Sequence, residues 1–192
     1  MDRHMTFRQY RAFDLVSFAV MLCVAETLIV KAATLWYPDQ LYTVSVTGAI
    51  VSIVLMRWGP FAAIHALLGA LAFSLASHGT LTQTMIYCVG NLFALLSLLP
   101  LRALGGEKIR SDQFLSVMFS LFTLLFMHTG RALTALAAGA APGACLGFFT
   151  TDALSYLFTG VIVWIARRLD GIFEDQKHYL LRVSKEEEKG GY

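Results

Sequence analysis

A set of polar and aromatic residues, spaced to share helix faces, is the pattern in this sequence best suited to chemistry. The set comprises Tyr87, Asn91, His128, Arg131, Asp152 and Tyr156. Tyr87 and Asn91 are four residues apart, as are Asp152 and Tyr156, so each pair lies on one face of a helix. Apolar and aromatic walls carrying a few such polar groups are typical of a small-molecule pocket. Arg131 and Asp152 either hold a charged or zwitterionic ligand or pair with each other, and the sequence leaves both interpretations open.

The composition indicates that these residues belong to a membrane protein. Of the 192 residues, 57% are apolar and 15% are charged, whereas a soluble domain carries about 45–50% and roughly 25%. The mean hydropathy is +0.63. A soluble globule of this size cannot bury so much apolar surface, and the same excess excludes a disordered chain and a nucleic-acid-binding module.

Six apolar segments are candidates to cross a bilayer, which takes about 20 residues of helix. They cover residues 12–35, 42–56, 61–77, 82–99, 113–128 and 149–166. The second segment is short and ends at the turn sequence Arg57-Trp58-Gly59-Pro60. The run ALTALAAGAAPGACLG between the last two segments is small and glycine-rich. It predicts a long loop with a helical turn, and a further half-span is the alternative. The predicted fold is an all-α bundle of six transmembrane helices.

The basic residues predict the orientation of these helices. Cytoplasmic flanks of membrane proteins carry an excess of Lys and Arg. With both termini on the cytoplasmic side, all 15 basic residues except Lys31 and Arg131 fall on that side. The transmembrane domain then covers residues 1–168, and residues 169–192 form a cytoplasmic amphipathic segment and tail.

The first loop on the outer side adds two aromatic candidates. Its sequence, LWYPDQLY, contains Trp36 and Tyr42. Aromatic residues at a membrane interface commonly serve as anchors. They can also form a lid that closes over a ligand held by the helix ends. Trp36 and Tyr42 therefore complete the predicted ligand site.

The first span carries a candidate surface for a partner. Ala19, Cys23 and Glu26 recur at helical spacing and share one face. Small residues four apart let two membrane helices approach closely. A charge at mid-helix costs about 2.5–3.5 kcal/mol on insertion scales, so Glu26 needs a role. We predict a partner interface, and a hydrogen bond within the bundle is the alternative for Glu26.

Motifs for catalysis, nucleotide hydrolysis and metal binding are absent from the sequence. It contains no H-E-x-x-H, no G-x-S-x-G and no Walker loop. Cys23, Cys88 and Cys145 lack the C-x-x-C spacing and indicate neither a disulfide nor a zinc site. We expect no enzyme activity, no cofactor and no metal, and any active transport must be powered by a partner or by an ion gradient.

Residues 42–71, YTVSVTGAIVSIVLMRWGPFAAIHALLGAL, resemble the substrate-binding S component of energy-coupling factor (ECF) transporters. The similar features are a short second span, a sharp R-W-G-P turn and a third span of small residues. Over most of the chain, six spans with both ends inside and an aromatic first outer loop are also similar to that family. Its first helix often carries an A-x-x-x-A packing motif, and Ala19 and Cys23 occupy the nearest equivalent here.

The resemblance implies a function in the plasma membrane of a prokaryote. Such a subunit captures a vitamin-like micronutrient in an outward-facing pocket capped by the first outer loop. It acts with a transmembrane scaffold subunit and two ATP-binding subunits. Two alternatives remain open: a non-catalytic integral subunit of another membrane complex, and a small membrane enzyme or stand-alone secondary transporter.

Overall fold

The computed structural model describes residues 6–37, 43–169 and 171–176. Within these ranges the chain forms helices and no strand, as predicted. The α-helices are α1 (Phe7–Trp36), α2 (Thr47–Trp58), α3 (Ala62–Ala76), α4 (Leu81–Asn91), α5 (Leu98–Ala103), α6 (Gly106–Ser111), α7 (Gln113–Ala137), α8 (Pro142–Thr150) and α9 (Ala153–Ala166). Two 3-10 stretches, Gly59–Phe61 and Leu92–Ser97, connect α2 to α3 and α4 to α5.

The long helical segments have the composition of membrane spans. Within the described residues, five are long and apolar enough to cross a bilayer: Phe7–Trp36, Thr47–Ala76, Leu81–Ala103, Gln113–Ala137 and Pro142–Ala166. Large apolar side chains along them, including Val20, Leu28 and Phe122, are exposed. A lipid bilayer solvates such a surface, whereas water does not. The chain is therefore built as a multi-pass membrane protein.

The second of these segments folds back on itself. α2 ends at Gly59, whose positive φ of 59° is a conformation that glycine adopts readily. Thr47, at the start of α2, touches Gly69 in α3 so closely that a Cβ on the glycine would collide with it. The two helices therefore run side by side in opposite directions, with the turn where the sequence R-W-G-P predicts it.

α2 is the central helix of the bundle. All 12 of its residues are buried, and α1, α3, α7 and α9 pack around it. A second close contact joins α4 to α7, where a Cβ on Gly90 would lie 2.5 Å from the backbone nitrogen of Arg131. Glycine permits this approach of two helices. It brings Asn91, the next residue of α4, beside Arg131.

The region between α7 and α9 differs from the prediction. α7 continues to Ala137 and α8 begins at Pro142, so only residues 138–141 connect them. The predicted long loop is therefore wrong for most of its length. Alanine is the strongest helix former, and the small residues of this run extend both helices. Gly139, with φ of 89°, makes the turn, and Pro142 lies in the first helical turn, where its missing N–H is tolerated.

The two described ends of the chain meet at one end of the bundle. Arg57, at the end of α2, donates to both carboxylate oxygens of Asp14 at 2.8 and 3.0 Å. Its Nη1 donates to the carbonyls of Gly171 and Ile172 at 2.7 and 2.8 Å. We call this end the basic end because Arg11, Arg57, Arg102, Arg110 and Arg167 all line one cavity there.

The predicted amphipathic C-terminal segment is described only as far as Gln176. Residues 171–174 form turns, and Phe173 is buried against the bundle. Residues 177–192 lie outside the described part of the chain.

Candidate ligand-binding site

Asp152 is the centre of a polar network inside the bundle, at the break between α8 and α9. Its Oδ2 accepts hydrogen bonds from Nε2 of His128 at 2.7 Å and from Nη1 of Arg131 at 3.0 Å. Its Oδ1 accepts from the hydroxyl of Thr43 at 3.1 Å and from the hydroxyl of Ser155. A carboxylate offers about four acceptor positions. The four donors therefore saturate Asp152.

Arg131 is held on three sides. Besides its bond to Asp152, its Nε donates to Oδ1 of Asn91 at 2.8 Å. Nδ2 of Asn91 in turn donates to the carbonyl of Ala66 at 3.1 Å. The guanidinium carbon of Arg131 lies 4.5 Å from the ring centre of Tyr87, a cation–π contact. α4 thus supplies both the amide that orients Arg131 and the ring on which it rests.

His128 links Asp152 to Tyr156. A carboxylate only accepts, so Nε2 of His128 carries the proton of the 2.7 Å bond to Asp152. Nδ1 lies 2.9 Å from the Tyr156 hydroxyl, and on a neutral ring it accepts a hydrogen bond from that group. Asp152 therefore sets the tautomer of His128, and His128 sets the orientation of the tyrosine hydroxyl.

Aromatic side chains from α3 and α8 flank the network. Tyr87 stacks on Phe73 with ring centres 4.9 Å apart, and it meets Phe148 edge-on at 6.0 Å. Phe149 meets the ring of His128 edge-on at 5.9 Å. These rings give the polar groups an aromatic surrounding, in which a flat molecule can stack.

Residues 43–47 connect the network to a second carboxylate, Glu26. Oε2 of Glu26 accepts from the backbone nitrogen of Val46 and from Oγ1 of Thr47, both at 3.0 Å. The backbone nitrogen of Ser45 donates to Oγ of Ser155 at 2.8 Å. Glu26 is fully buried, and its Oε1 has no hydrogen-bond partner among the described residues. The side chains of Glu26 and Ser155 thus accept hydrogen bonds from backbone N–H groups of a non-helical segment inside the bundle, where lipid offers no partners.

The network is closed in this structure. Asn91, His128, Arg131 and Asp152 are between 0% and 4% exposed. A small molecule could enter only by taking over existing contacts, with an anionic group replacing Asp152 at Arg131 and a cationic group replacing Arg131 at Asp152. A zwitterion that supplies both groups leaves neither charge buried without a partner, whereas a singly charged molecule leaves Arg131 or Asp152 unpaired at a large cost. The arrangement is compatible with recognition of a zwitterionic small molecule.

Six of the predicted site residues come together in this network: Tyr87, Asn91, His128, Arg131, Asp152 and Tyr156. The helices that carry them extend further than predicted. Because α7 continues to Ala137 and α8 precedes Asp152, the residues on α7 and α9 lie inside the helical segments Gln113–Ala137 and Pro142–Ala166.

Four residues that contribute hydroxyl or backbone N–H groups to these contacts are not predicted from the sequence: Thr43, Ser45, Thr47 and Ser155. A signal existed for the first three, because the alternation T-V-S-V-T directs three hydroxyls to one side of an extended chain within an apolar run. Ser155 follows Asp152 by three residues, a spacing that allows contact at the start of a helix.

The two aromatic residues of the predicted lid lie apart from the described network. Trp36, at the end of α1, is 72% exposed, and within the described ranges it makes no hydrogen bond or ring contact with the network. Tyr42 lies outside the described residues. The lid remains a prediction.

The three residues of the predicted partner face of α1 differ in how far they are buried. Ala19 and Cys23 are half-buried on α1. Glu26 is turned fully into the bundle, where it bonds to residues 46 and 47. Its hydrogen bonds within the bundle correspond to the alternative given for it above.

No family model, no curated protein and no solved structure matches this chain.

Proposed function

We propose that the chain is the membrane-embedded binding subunit of a nutrient transporter, similar to an ECF S component. It captures a vitamin-like small molecule at the polar network. The observation that carries the proposal is the group of Arg131, His128 and Asp152 buried in a small apolar bundle. Ionisable groups inside membranes are rare and typically mark ligand or ion pathways. A buried ion pair can often be replaced by apolar residues without loss of stability, so packing alone gives little reason to retain one.

The proposed ligand carries an anionic group, a cationic group and a flat ring. The anionic group replaces Asp152 at Arg131, and the cationic group replaces Arg131 at Asp152. The ring stacks among Tyr87, Phe148 and Phe149, which already contact one another or His128. A zwitterionic heterocycle of vitamin size meets these requirements.

The proposal includes six spans with both termini in the cytoplasm of a prokaryotic cell. Counting the α2–α3 hairpin as two passes turns five apolar segments into six. An even number is consistent with the meeting of both described chain ends at the basic end. The excess of arginine there favours the cytoplasmic side.

Energy for uptake comes, in this proposal, from a transmembrane scaffold subunit and two ATP-binding subunits. The chain has no Walker loop of its own. The half-buried Ala19/Cys23 face of α1 is the proposed contact with the scaffold. We expect Ala19→Trp to abolish uptake by the assembled transporter while ligand binding by the isolated protein is unchanged. Val20→Trp, at a position that is 58% exposed, is the matched control. Loss of binding in isolated Ala19→Trp would contradict this separation of roles.

Mass spectrometry of small molecules that co-purify with the protein tests the binding function. We expect the native protein to retain a ligand, and Asp152→Asn to bind it at least about tenfold more weakly, because a charged partner is lost. Asp14→Asn, which alters the Arg57–Asp14 pair at the basic end, should leave the affinity unchanged. Absence of any retained ligand, or equal affinities in the two variants, would contradict the proposal.

The saturation of Asp152 by four donors favours a second candidate. In that case the chain is a non-catalytic integral subunit of another membrane complex, and the network only holds helices together. Asp152→Asn would then lower the stability of the protein, and no small molecule would co-purify.

A further inference from the structure

A cavity of about 1170 Å³ opens at the basic end, and no residue of the polar network lines it. Five arginines line this cavity: Arg11, Arg57, Arg102, Arg110 and Arg167. They face three carboxylates, those of Glu107, Glu174 and Asp175. The volume exceeds the usual upper range of small-molecule pockets, about 1,000 Å³. A sizeable group can therefore enter, and the excess of guanidinium groups favours an anion.

Three of the five arginines are engaged within the protein. Arg57 is bound to Asp14 and to two carbonyls, as described above. Arg110 donates to Asp175 at 3.1 Å and to the carbonyl of Met56 at 2.9 Å. Arg167 donates to the carbonyl of Ser111 at 2.7 Å. These contacts fix the walls of the cavity.

The other two arginines are available to a ligand. Within the described part of the chain, neither Arg11 nor Arg102 forms a hydrogen bond or an ion pair through its side chain. The guanidinium of Arg11 rests on the ring of Phe61, 4.5 Å from its centre. Arg102 is exposed. A planar guanidinium with unoccupied N–H groups matches the geometry of a phosphate.

An apolar groove of about 460 Å³ joins this cavity at Arg102. It is lined by Leu92, Phe93, Leu95, Leu96, Leu98 and Leu99. Leu98 and Arg102 line both the groove and the cavity. The helical rise from Leu92 to Arg102 amounts to about 18 Å, a little over half of the ~30 Å hydrocarbon core. The groove therefore has the depth of one leaflet and ends at an available guanidinium.

We propose that the cavity and the groove together bind one acidic glycerophospholipid. Its phosphate lies at Arg102, with Arg11 as a second cation in the same cavity, and one acyl chain lies along Leu92–Leu99. Basic pockets between helices at a membrane surface are the setting in which anionic headgroups bind. The groove requires the acyl chain, and the arginines require the negative charge. The inference depends on the membrane-spanning fold and is independent of the ligand of the polar network.

Native mass spectrometry of the full chain, titrated in detergent with phosphatidylglycerol, tests the charge requirement. We expect phosphatidylglycerol to bind at least about fivefold more tightly than phosphatidylcholine with the same acyl chains. Arg102→Gln should weaken phosphatidylglycerol binding about five- to tenfold. Arg168→Gln removes an equal charge at the same end from a residue that stacks on Trp164 and does not line the cavity, so it should change binding less than twofold.

Two further measurements test the requirement for an acyl chain. Leu96→Trp places a bulky ring in the groove and should reduce phosphatidylglycerol binding, whereas Leu157→Trp, at another exposed position, should not. Inorganic phosphate should fail to compete with the lipid. Equal binding of the two lipids, an unaltered Arg102→Gln or Leu96→Trp variant, or competition by inorganic phosphate would each overturn the proposal.

Discussion

The polar network and the basic end each contain a buried arginine paired with an aspartate, yet the two pairs are built differently. The side chain of Arg131 is 3% exposed and that of Asp152 is 5% exposed. At the basic end, the side chain of Arg57 is 7% exposed and that of Asp14 is 17% exposed. The remaining hydrogen bonds that Asp152 accepts come from donors on separate segments of the chain. The more deeply a charged group is buried in the bundle, the more hydrogen-bond partners the protein has to supply to it.

Backbone carbonyls and an indole N–H supply part of the hydrogen bonding at the basic end. Arg57 is completed by the carbonyls of residues 171 and 172, and Asp14 receives a hydrogen bond from Nε1 of Trp58 at 2.6 Å. A group at this end that loses its partner can still turn to water. The groups of the network cannot turn to water in this way, because they are buried. The loss of one partner therefore leaves a charge in an apolar surrounding.

The largest effect is expected from Arg131→Ala. It leaves Asp152 charged and buried without its cation, which should lower the free energy of unfolding by about 3–5 kcal/mol. Thermal unfolding in detergent measures the loss. The double variant Arg131→Met with Asp152→Asn removes both charges and should recover most of the stability while ligand binding stays impaired. A loss for Arg131→Ala no greater than that for Asp14→Asn would contradict the comparison.

A smaller effect is expected where α4 and α7 meet. In Gly90→Ala the new methyl group lies against the backbone of Arg131, at 2.5 Å from its nitrogen before any relaxation. Separating the helices should lower the free energy of unfolding by about 1–3 kcal/mol and weaken the contact between Asn91 and Arg131. The control is Gly147→Ala in α8, where a Cβ meets nothing within 4 Å. The control should be neutral or stabilising by up to about 1 kcal/mol. Equal effects of the two alanines would show that the α4–α7 approach does not support the network.

The smallest effect is expected from Asp14→Asn at the basic end. The amide oxygen of asparagine still accepts on one side, but its amide nitrogen cannot accept, so the negative charge and at least one of the three hydrogen bonds of Asp14 are lost. We expect a decrease of about 1–2 kcal/mol in the free energy of unfolding. Glu107→Gln, an exposed carboxyl at the same end, should stay within about 0.5 kcal/mol of the native protein. A decrease for Asp14→Asn as large as that for Arg131→Ala would remove the distinction between the two regions.

The network residues could be predicted because charged and amide side chains are conspicuous in apolar spans. The Arg131–Asp152 pair is one of the two interpretations that the sequence leaves open, and which of them applies could not be predicted. Arg131 and Asp152 are 21 positions apart, and Thr43 and Asp152 are 109 apart. Contacts over such distances depend on how the helices pack, and no local pattern encodes that. The turn at Gly59, by contrast, follows from residues that neighbour one another in the chain.

The error over the alanine-rich run after Arg131 has a different cause. Small residues give a segment a low hydropathy, and glycines suggest a loop. Alanine nevertheless has the highest helix propensity, whatever the hydropathy of the segment. Only Gly139 has a positive φ in residues 132–147. The true interruption of this part of the chain lies at Thr151 and Asp152, where the sequence has neither glycine nor proline. The hydrogen bonds of Asp152 and Ser155 to other segments of the chain stabilise this interruption, and such contacts are tertiary.

The burial of α2 also has a consequence for how the protein is made. This helix has 12 residues, about 18 Å of rise, so it is too short to cross a bilayer without the non-helical residues 43–46 that precede it. Those residues depend for their hydrogen bonds on Glu26, which is synthesised earlier, and on Ser155, which is synthesised much later. A nascent chain that stops before α9 leaves the amide of Ser45 facing lipid without an acceptor. We therefore expect the α2–α3 hairpin to settle into the bilayer only after α9 has left the ribosome, and chains truncated before α9 to be substrates for membrane proteases.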